Sequence, residues 1–116
     1  MNKEYELKKD GFRKARGGSA RLLEIICSNC GKRVLVYQKD GLGFLHRCYL
    51  NRIFEPEKYE RLQYNPYIKD PKDMPNLICG YCNTVIGTPM RHFDKRLAFH
   101  LRPGFFIKKL IKEDKN

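Results

Sequence analysis

A chain of 116 residues, 41% of them hydrophobic, holds material for one small domain with a thin core. Its 24 lysines and arginines against 13 carboxylates give a net charge of +11, which favours a polyanionic partner (RNA, DNA or an acidic membrane surface) without choosing among them. No apolar run approaches the roughly 18 residues that span a membrane, and Met-Asn-Lys-Glu-Tyr-Glu does not open like a secretory signal. A membrane protein and a secreted disulfide scaffold are therefore disfavoured, and a cytoplasmic location is expected.

The charge is concentrated at the two ends: residues 1–21 carry seven bases and three acids, and residues 91–116 eight bases and three acids. Residues 1–20 are basic, end in Gly17-Gly18-Ser19 and offer few apolar anchors, which predicts a flexible basic arm. A single domain is expected over residues 21–112, with a short tail at 113–116. Leu22-Leu23-Glu24-Ile25-Ile26 has the branched composition of a buried strand, and Val34-Leu35-Val36-Tyr37 of a second. Lys39-Asp40-Gly41 is expected to turn, and Phe44 to Ile53 to form a further strand. Pro56 sits where a short helix can start, over residues 55–62. Three prolines between residues 65 and 76 predict an extended loop. Thr84-Val85-Ile86 and Phe105 to Ile111 complete a mainly β pattern.

Five cysteines stand in this frame, four of them as Cys27-x2-Cys30 and Cys79-x2-Cys82. Two residues between paired cysteines let both thiolates bend toward one ion, and two pairs supply the four sulfurs of a tetrahedral zinc site. Such a closed site leaves no coordination position for an activated water, so one structural Zn²⁺ is expected, with iron on the same thiolates, a redox dithiol and a disulfide formed on isolation as the competing assignments. The segments around the pairs echo each other: Ile25-Ile26-Cys27 to Val34 and Leu77-Ile78-Cys79 to Ile86 both read as strand, knuckle and returning strand.

The 48 residues between the pairs leave room for a sizeable piece of sheet. With Cys79-x2-Cys82-x4-Gly87, with Arg47-Cys48-Tyr49-Leu50-Asn51 after the first pair, and with the closing Gly104-Phe105-Phe106-Ile107-Lys108-Lys109-Leu110, the chain resembles the Yippee family and its β-tent relatives over residues 23–111. The resemblance implies two antiparallel sheets meeting at a four-cysteine zinc. Thr88 stands where the family usually has tryptophan, and the chain contains no tryptophan, so the aromatic cage that cereblon-type relatives use for a cyclic imide is not expected. Relatives on this scaffold range from peptide receptors to RNA binders and sulfoxide reductases, so the resemblance does not fix a function.

The leading expectation is a noncatalytic zinc-binding domain that binds RNA or a ribonucleoprotein. Fourteen tyrosines and phenylalanines, several beside bases, suit single-stranded RNA, where rings stack on bases and cations follow phosphates. The candidate phosphate contacts are Arg13, Lys14, Arg16, Arg21, Arg91, Lys95, Arg96, Arg102, Lys108, Lys109 and Lys112. Two alternatives stand beside it: a protein-interaction module of Yippee-like type, receiving a partner in a groove between the sheets, and a thiol reductase using Cys48. His46, His92 and His100 are too scattered to form a motif, and no phosphate loop or nucleophile elbow is present.

Overall fold

The branched run ahead of the first cysteine pair forms strand β1 (Ala20–Cys27), which turns through the knuckle into β2 (Arg33–Asp40). These strands pair antiparallel, Leu23 opposite Tyr37 and Ile25 opposite Leu35, so alternate side chains of both face one core. The computed structural model describes residues 5–111. In it β4 (Ile53–Glu55) joins the free edge of β2, and β8 (Phe106–Leu110) the free edge of β1, giving a sheet ordered β4-β2-β1-β8. A second antiparallel sheet, ordered β3-β7-β6-β5, is built from β3 (Arg47–Tyr49), β5 (Leu77–Ile78), β6 (Val85–Arg91) and β7 (Leu97–Leu101). Short helices α1 (Gly11–Ala15) and α2 (Glu57–Glu60) and three 3-10 turns complete the described residues.

The core lies between the sheets. Leu23, Ile25, Leu35 and Tyr37 from the first meet Cys48, Leu77, Ile86, Phe99 and Leu101 from the second, all nearly or wholly removed from water. Polar stitches fix the packing: the Tyr37 hydroxyl accepts from the Tyr49 backbone N–H at 2.8 Å, and the Tyr59 hydroxyl from Ile78 N–H at 3.0 Å. The Tyr59 ring also stands edge-on to Phe99, with centroids 5.7 Å apart.

The expected mainly β domain of two antiparallel sheets is what forms, with α2 close to the helix expected over 55–62. Four details differ. The strand expected from Phe44 to Ile53 is divided: β3 belongs to the second sheet, and a 3-10 turn at Leu50–Arg52 carries the chain across to β4 in the first. Strand β7 was not anticipated, although Leu97-Ala98-Phe99-His100-Leu101 places Phe99 and Leu101 in the core. Lys39 and Asp40 belong to β2, and the turn starts at Gly41 (φ 76°), where an added Cβ would stand 2.8 Å from the Arg16 carbonyl oxygen.

The fourth difference concerns the segment expected as a free arm, whose residues 5–16 lie against the domain. Lys8 exchanges backbone bonds with the buried Gln38 amide, its N–H donating to Gln38 Oε1 at 2.6 Å and its carbonyl accepting from Nε2 at 2.9 Å. Asp10 caps α1 by accepting from Arg13 N–H and at the same time pairs with the buried Arg52 guanidinium. The scarcity of apolar residues predicts mobility, but these anchors are polar and arise only when distant residues meet.

Candidate metal centre and basic cleft

Both cysteine pairs sit on knuckles of the same build. Cys27 N–H donates to Lys32 C=O and Gly31 N–H to Cys27 C=O, while Cys79 N–H donates to Thr84 C=O and Asn83 N–H to Cys79 C=O. Gly31 and Asn83, each four residues past the first cysteine, have positive φ of 77° and 63°. Asparagine is one of the few residues besides glycine that takes this conformation readily, so the two hairpins superpose in chemistry as well as in sequence.

The knuckles bring the four sulfurs within 4.8 Å of one another. Cys27 Sγ is 3.6 Å from Cys82 Sγ, and Cys30 Sγ 3.5 Å from Cys79 Sγ. A disulfide needs about 2.05 Å. Four sulfurs around one ion at about 2.3 Å stand roughly 3.8 Å apart, so the spacing fits a tetrahedral metal site and not two disulfides. The electrostatics agree with that fit. The Thr84 hydroxyl at 3.1 Å and the Asn29 amide at 3.5 Å both bond Cys82 Sγ and bring its pKa down to about 6. At Cys30 the Lys32 N–H favours the thiolate, but desolvation and the three neighbouring sulfurs outweigh it and push the pKa up to about 12. A cation at the centre of the four sulfurs would favour the thiolate form of each. The four cysteines therefore form a cluster that can hold a metal ion, with Cys27 and Cys79 buried and Cys30 and Cys82 toward the surface.

Cys48 is a different kind of cysteine. It lies on β3 opposite Phe99, with no exposed surface, and burial pushes its thiol well above the ordinary range. A neutral thiol in the core is no nucleophile, so the surface thiolate that a Cys48 reductase needs is not there. We expect a pulse of N-ethylmaleimide on the folded, metal-loaded protein to leave Cys48 unmodified by mass spectrometry, and to label it only after denaturation.

A second constellation lies at the other end of the sheets. β1 runs about 23 Å from Cys27 to Ala20, whose partner across the sheet is Asp40. Beside this end opens a cleft of about 420 Å³ between α1, the end of β2, the start of β3 and the β6–β7 turn. Its lining includes Phe44 and Phe93, 83% and 90% exposed, together with Arg16, Lys39 and Arg47. The carboxylates of the cleft are Asp40 and Asp94. Each is already matched, Asp40 to Arg52 Nε at 2.8 Å and Asp94 to the Arg96 guanidinium at 2.9 Å. His92, whose pKa is lowered by desolvation and by Arg47, stands edge-on to Tyr49 and tilted against Phe93.

The basic residues named from the sequence divide into two sets. Arg96 is held inside the protein, its guanidinium 3.9 Å from the centroid of Phe12 and 3.7 Å from that of Tyr49, which ties the β6–β7 turn to α1 and β3. Arg102 donates to Val85 C=O and stacks on Phe105, Arg91 bonds Lys69 C=O and pairs with Asp70, and Arg13 donates from Nε to Gly18 C=O. Lys14, Arg16, Arg21, Lys95, Lys108 and Lys109 are exposed, and Lys112 lies outside the described residues. Lys39, Arg47 and Phe44 join the cleft without being candidates from the sequence, whereas Phe93 belongs to Arg91-His92-Phe93, one of the places where a ring stands beside a base. The apolar run Val34-Leu35-Val36-Tyr37 sets β2, and extending it by two residues puts Lys39 on the same side as Leu35 and Tyr37; no signal in the sequence marks Phe44 as part of a cleft. Comparisons of the chain with protein-family models, with curated proteins and with solved structures find no match.

Proposed function

We propose that this protein is a noncatalytic, zinc-stabilised β domain that binds single-stranded RNA, free or within a ribonucleoprotein. The observation that carries the reading is the cleft, where exposed rings stand among unmatched cations and the carboxylates are already used by arginines. Stacking on a ring is sequence-tolerant, and cations beside it follow the phosphates. Four thiolates at tetrahedral spacing favour Zn²⁺ at the other end, and one zinc per chain by elemental analysis, without the visible absorption of an iron–thiolate centre, is the expected composition. Two antiparallel sheets meeting at four cysteines also support a β-tent-like, Yippee-type relationship as our reading of the architecture.

Binding of a fluorescent oligouridylate should weaken steeply with salt. About five phosphate contacts on a single strand give a slope of about −3.5 in log–log form, or roughly a hundredfold loss between about 50 and 200 mM salt. Phe44→Ala and Phe93→Ala should each cost about 1–3 kcal/mol of binding, and exposure this high keeps their removal from harming the fold. Affinity that is flat with salt and indifferent to both rings would refute the reading.

A second reading, of a protein-interaction module, has its own observation. A groove of about 400 Å³ between the sheets on the cysteine side combines Arg33, Glu55 and Lys58 with Tyr59 and the 70%-exposed Tyr81. A partner that co-purifies through nuclease treatment and is lost on Tyr81→Ala would favour it.

A further inference from the structure

We propose that Arg21, Lys39 and Lys108 form a discrete binding site for a phosphoryl oxyanion, in a pocket on the core-facing side of the first sheet beside the basic cleft. Strand register places them together. Arg21 is the cross-strand partner of Lys39, and on the other flank of β1 Lys108 stands opposite Ile25 and Leu110 opposite Leu23. Arg21, Lys39 and Lys108 therefore project from the same side of the sheet as Leu23 and Ile25. There the loop at Gly41–Gly43 closes a pocket of about 160 Å³ over them.

Among the described residues no carboxylate lines this pocket. Lys39 is only 8% exposed, and its ammonium has one protein acceptor, the Gly41 carbonyl at 3.1 Å, for three N–H groups. The adjacent acid, Asp40, is committed to Arg52 and to the Gln38 amide. Desolvation, and then the charges of Arg16, Lys108 and Arg21, lower the Lys39 pKa, while Asp40 opposes them only weakly. A buried ammonium among like charges is costly unless an anion joins it. Three cations converging from three strands suit a compact oxyanion carrying one or two charges, and arginine and lysine are the usual phosphate partners.

Lys39 also lines the cleft, so the oxyanion can be a backbone phosphate of the RNA strand proposed above or the phosphate of a small free ligand. The site itself stands on its own charges; only its assignment to RNA rests on the proposed function.

The test is thermal unfolding of the zinc-loaded full chain in inorganic phosphate against chloride, at matched ionic strength and pH 7.5. The variants are Lys39→Met, Arg21→Gln and the exposed Lys108→Ala. We expect a saturable rise of several degrees for the wild type at millimolar phosphate, lost in Lys39→Met and Arg21→Gln and reduced in Lys108→Ala. In chloride Lys39→Met should melt at or above the wild-type temperature, because it removes a repelled charge. Oligouridylate binding by the same proteins then separates the sources. A loss of tenfold or more in the variants supports the backbone phosphate, and unchanged RNA affinity beside a lost phosphate response supports a free ligand. A phosphate response in a protein that binds no RNA sinks the RNA reading and leaves this site standing. Equal responses to phosphate in the wild type and all three variants, or no saturable response at all, would overturn the site.

Discussion

Replacing Cys79 with serine, or stripping the metal with a strong chelator at neutral pH, is expected to unfold the domain outright. Cys79 is fully buried, and the strand ahead of it, β5, has only two residues, so the sulfur cluster does much of the work of fixing that edge of the second sheet. Structural four-ligand zinc sites are worth about 10–16 kcal/mol of apparent binding free energy at pH 7. A domain of this size has a total stability of about 5–15 kcal/mol, so loss of the site exceeds or matches everything else that holds the fold. Far-ultraviolet circular dichroism followed through a chelator titration, with metal content measured alongside, should show the strand signal and the metal disappear together. Cys30→Ser, at the exposed corner, should be milder than Cys79→Ser because a surface hydroxyl or water can take its place. A metal-free Cys79→Ser protein with the wild-type spectrum would contradict the structural role.

That cluster was the most legible feature of the sequence, because ligand spacing is local: two residues between cysteines dictate a knuckle whatever lies around it. The repeated flanks carried the hairpins as well, down to Asn83 standing where Gly31 stands. What could not be read locally is everything decided by a meeting of distant residues. The run from Phe44 to Ile53 has one strand-like composition, yet it serves two sheets, because the buried Arg52 must reach Asp40 and Asp10, 12 and 42 residues away. The N-terminal segment reads as an arm for the same reason, its anchors including a glutamine amide, a buried arginine and the Phe12–Arg96 stack, which no hydropathy pattern reveals. Charge counting likewise found the basic surplus but not its sorting. Arg96 and Lys39 each count as one positive charge, yet one is stacked between two rings and paired with Asp94 while the other is left among cations.

Arg52→Met is the second substitution expected to have a large effect, and it should reach function as well as stability. Arg52 is 1% exposed and holds two carboxylates, Asp40 at 2.8 Å and Asp10 at 2.5 Å. Its removal leaves the 8%-exposed Asp40 charge with only the Gln38 amide, and uncovering one partner of a buried pair costs about 3–5 kcal/mol. Adding Asp40→Asn should recover part of that loss, since the amide needs no counterion. Asp10→Asn alone should cost less than Arg52→Met, because Asp10 is 38% exposed and solvent screens its share. The acid limb of the stability curve gives a separate check. The Arg52 bond holds the Asp10 carboxyl at about 2, below its ordinary 3.8, so its contribution is complete above pH 3.8 and is lost as pH falls through 2. In Arg52→Met that portion of the acid destabilisation should disappear, making the curve shallower below pH 4. Because Asp10 also caps α1, the variant should release residues 5–16, seen as faster tryptic cleavage at Arg13 and Lys14 with the metal content unchanged. Phe12 and Arg16 would leave the cleft wall with α1. On the proposed RNA-binding function, oligouridylate affinity should then fall although Arg52 itself is buried, and a variant with a freed segment but unchanged oligouridylate binding would show that α1 is not part of the binding surface.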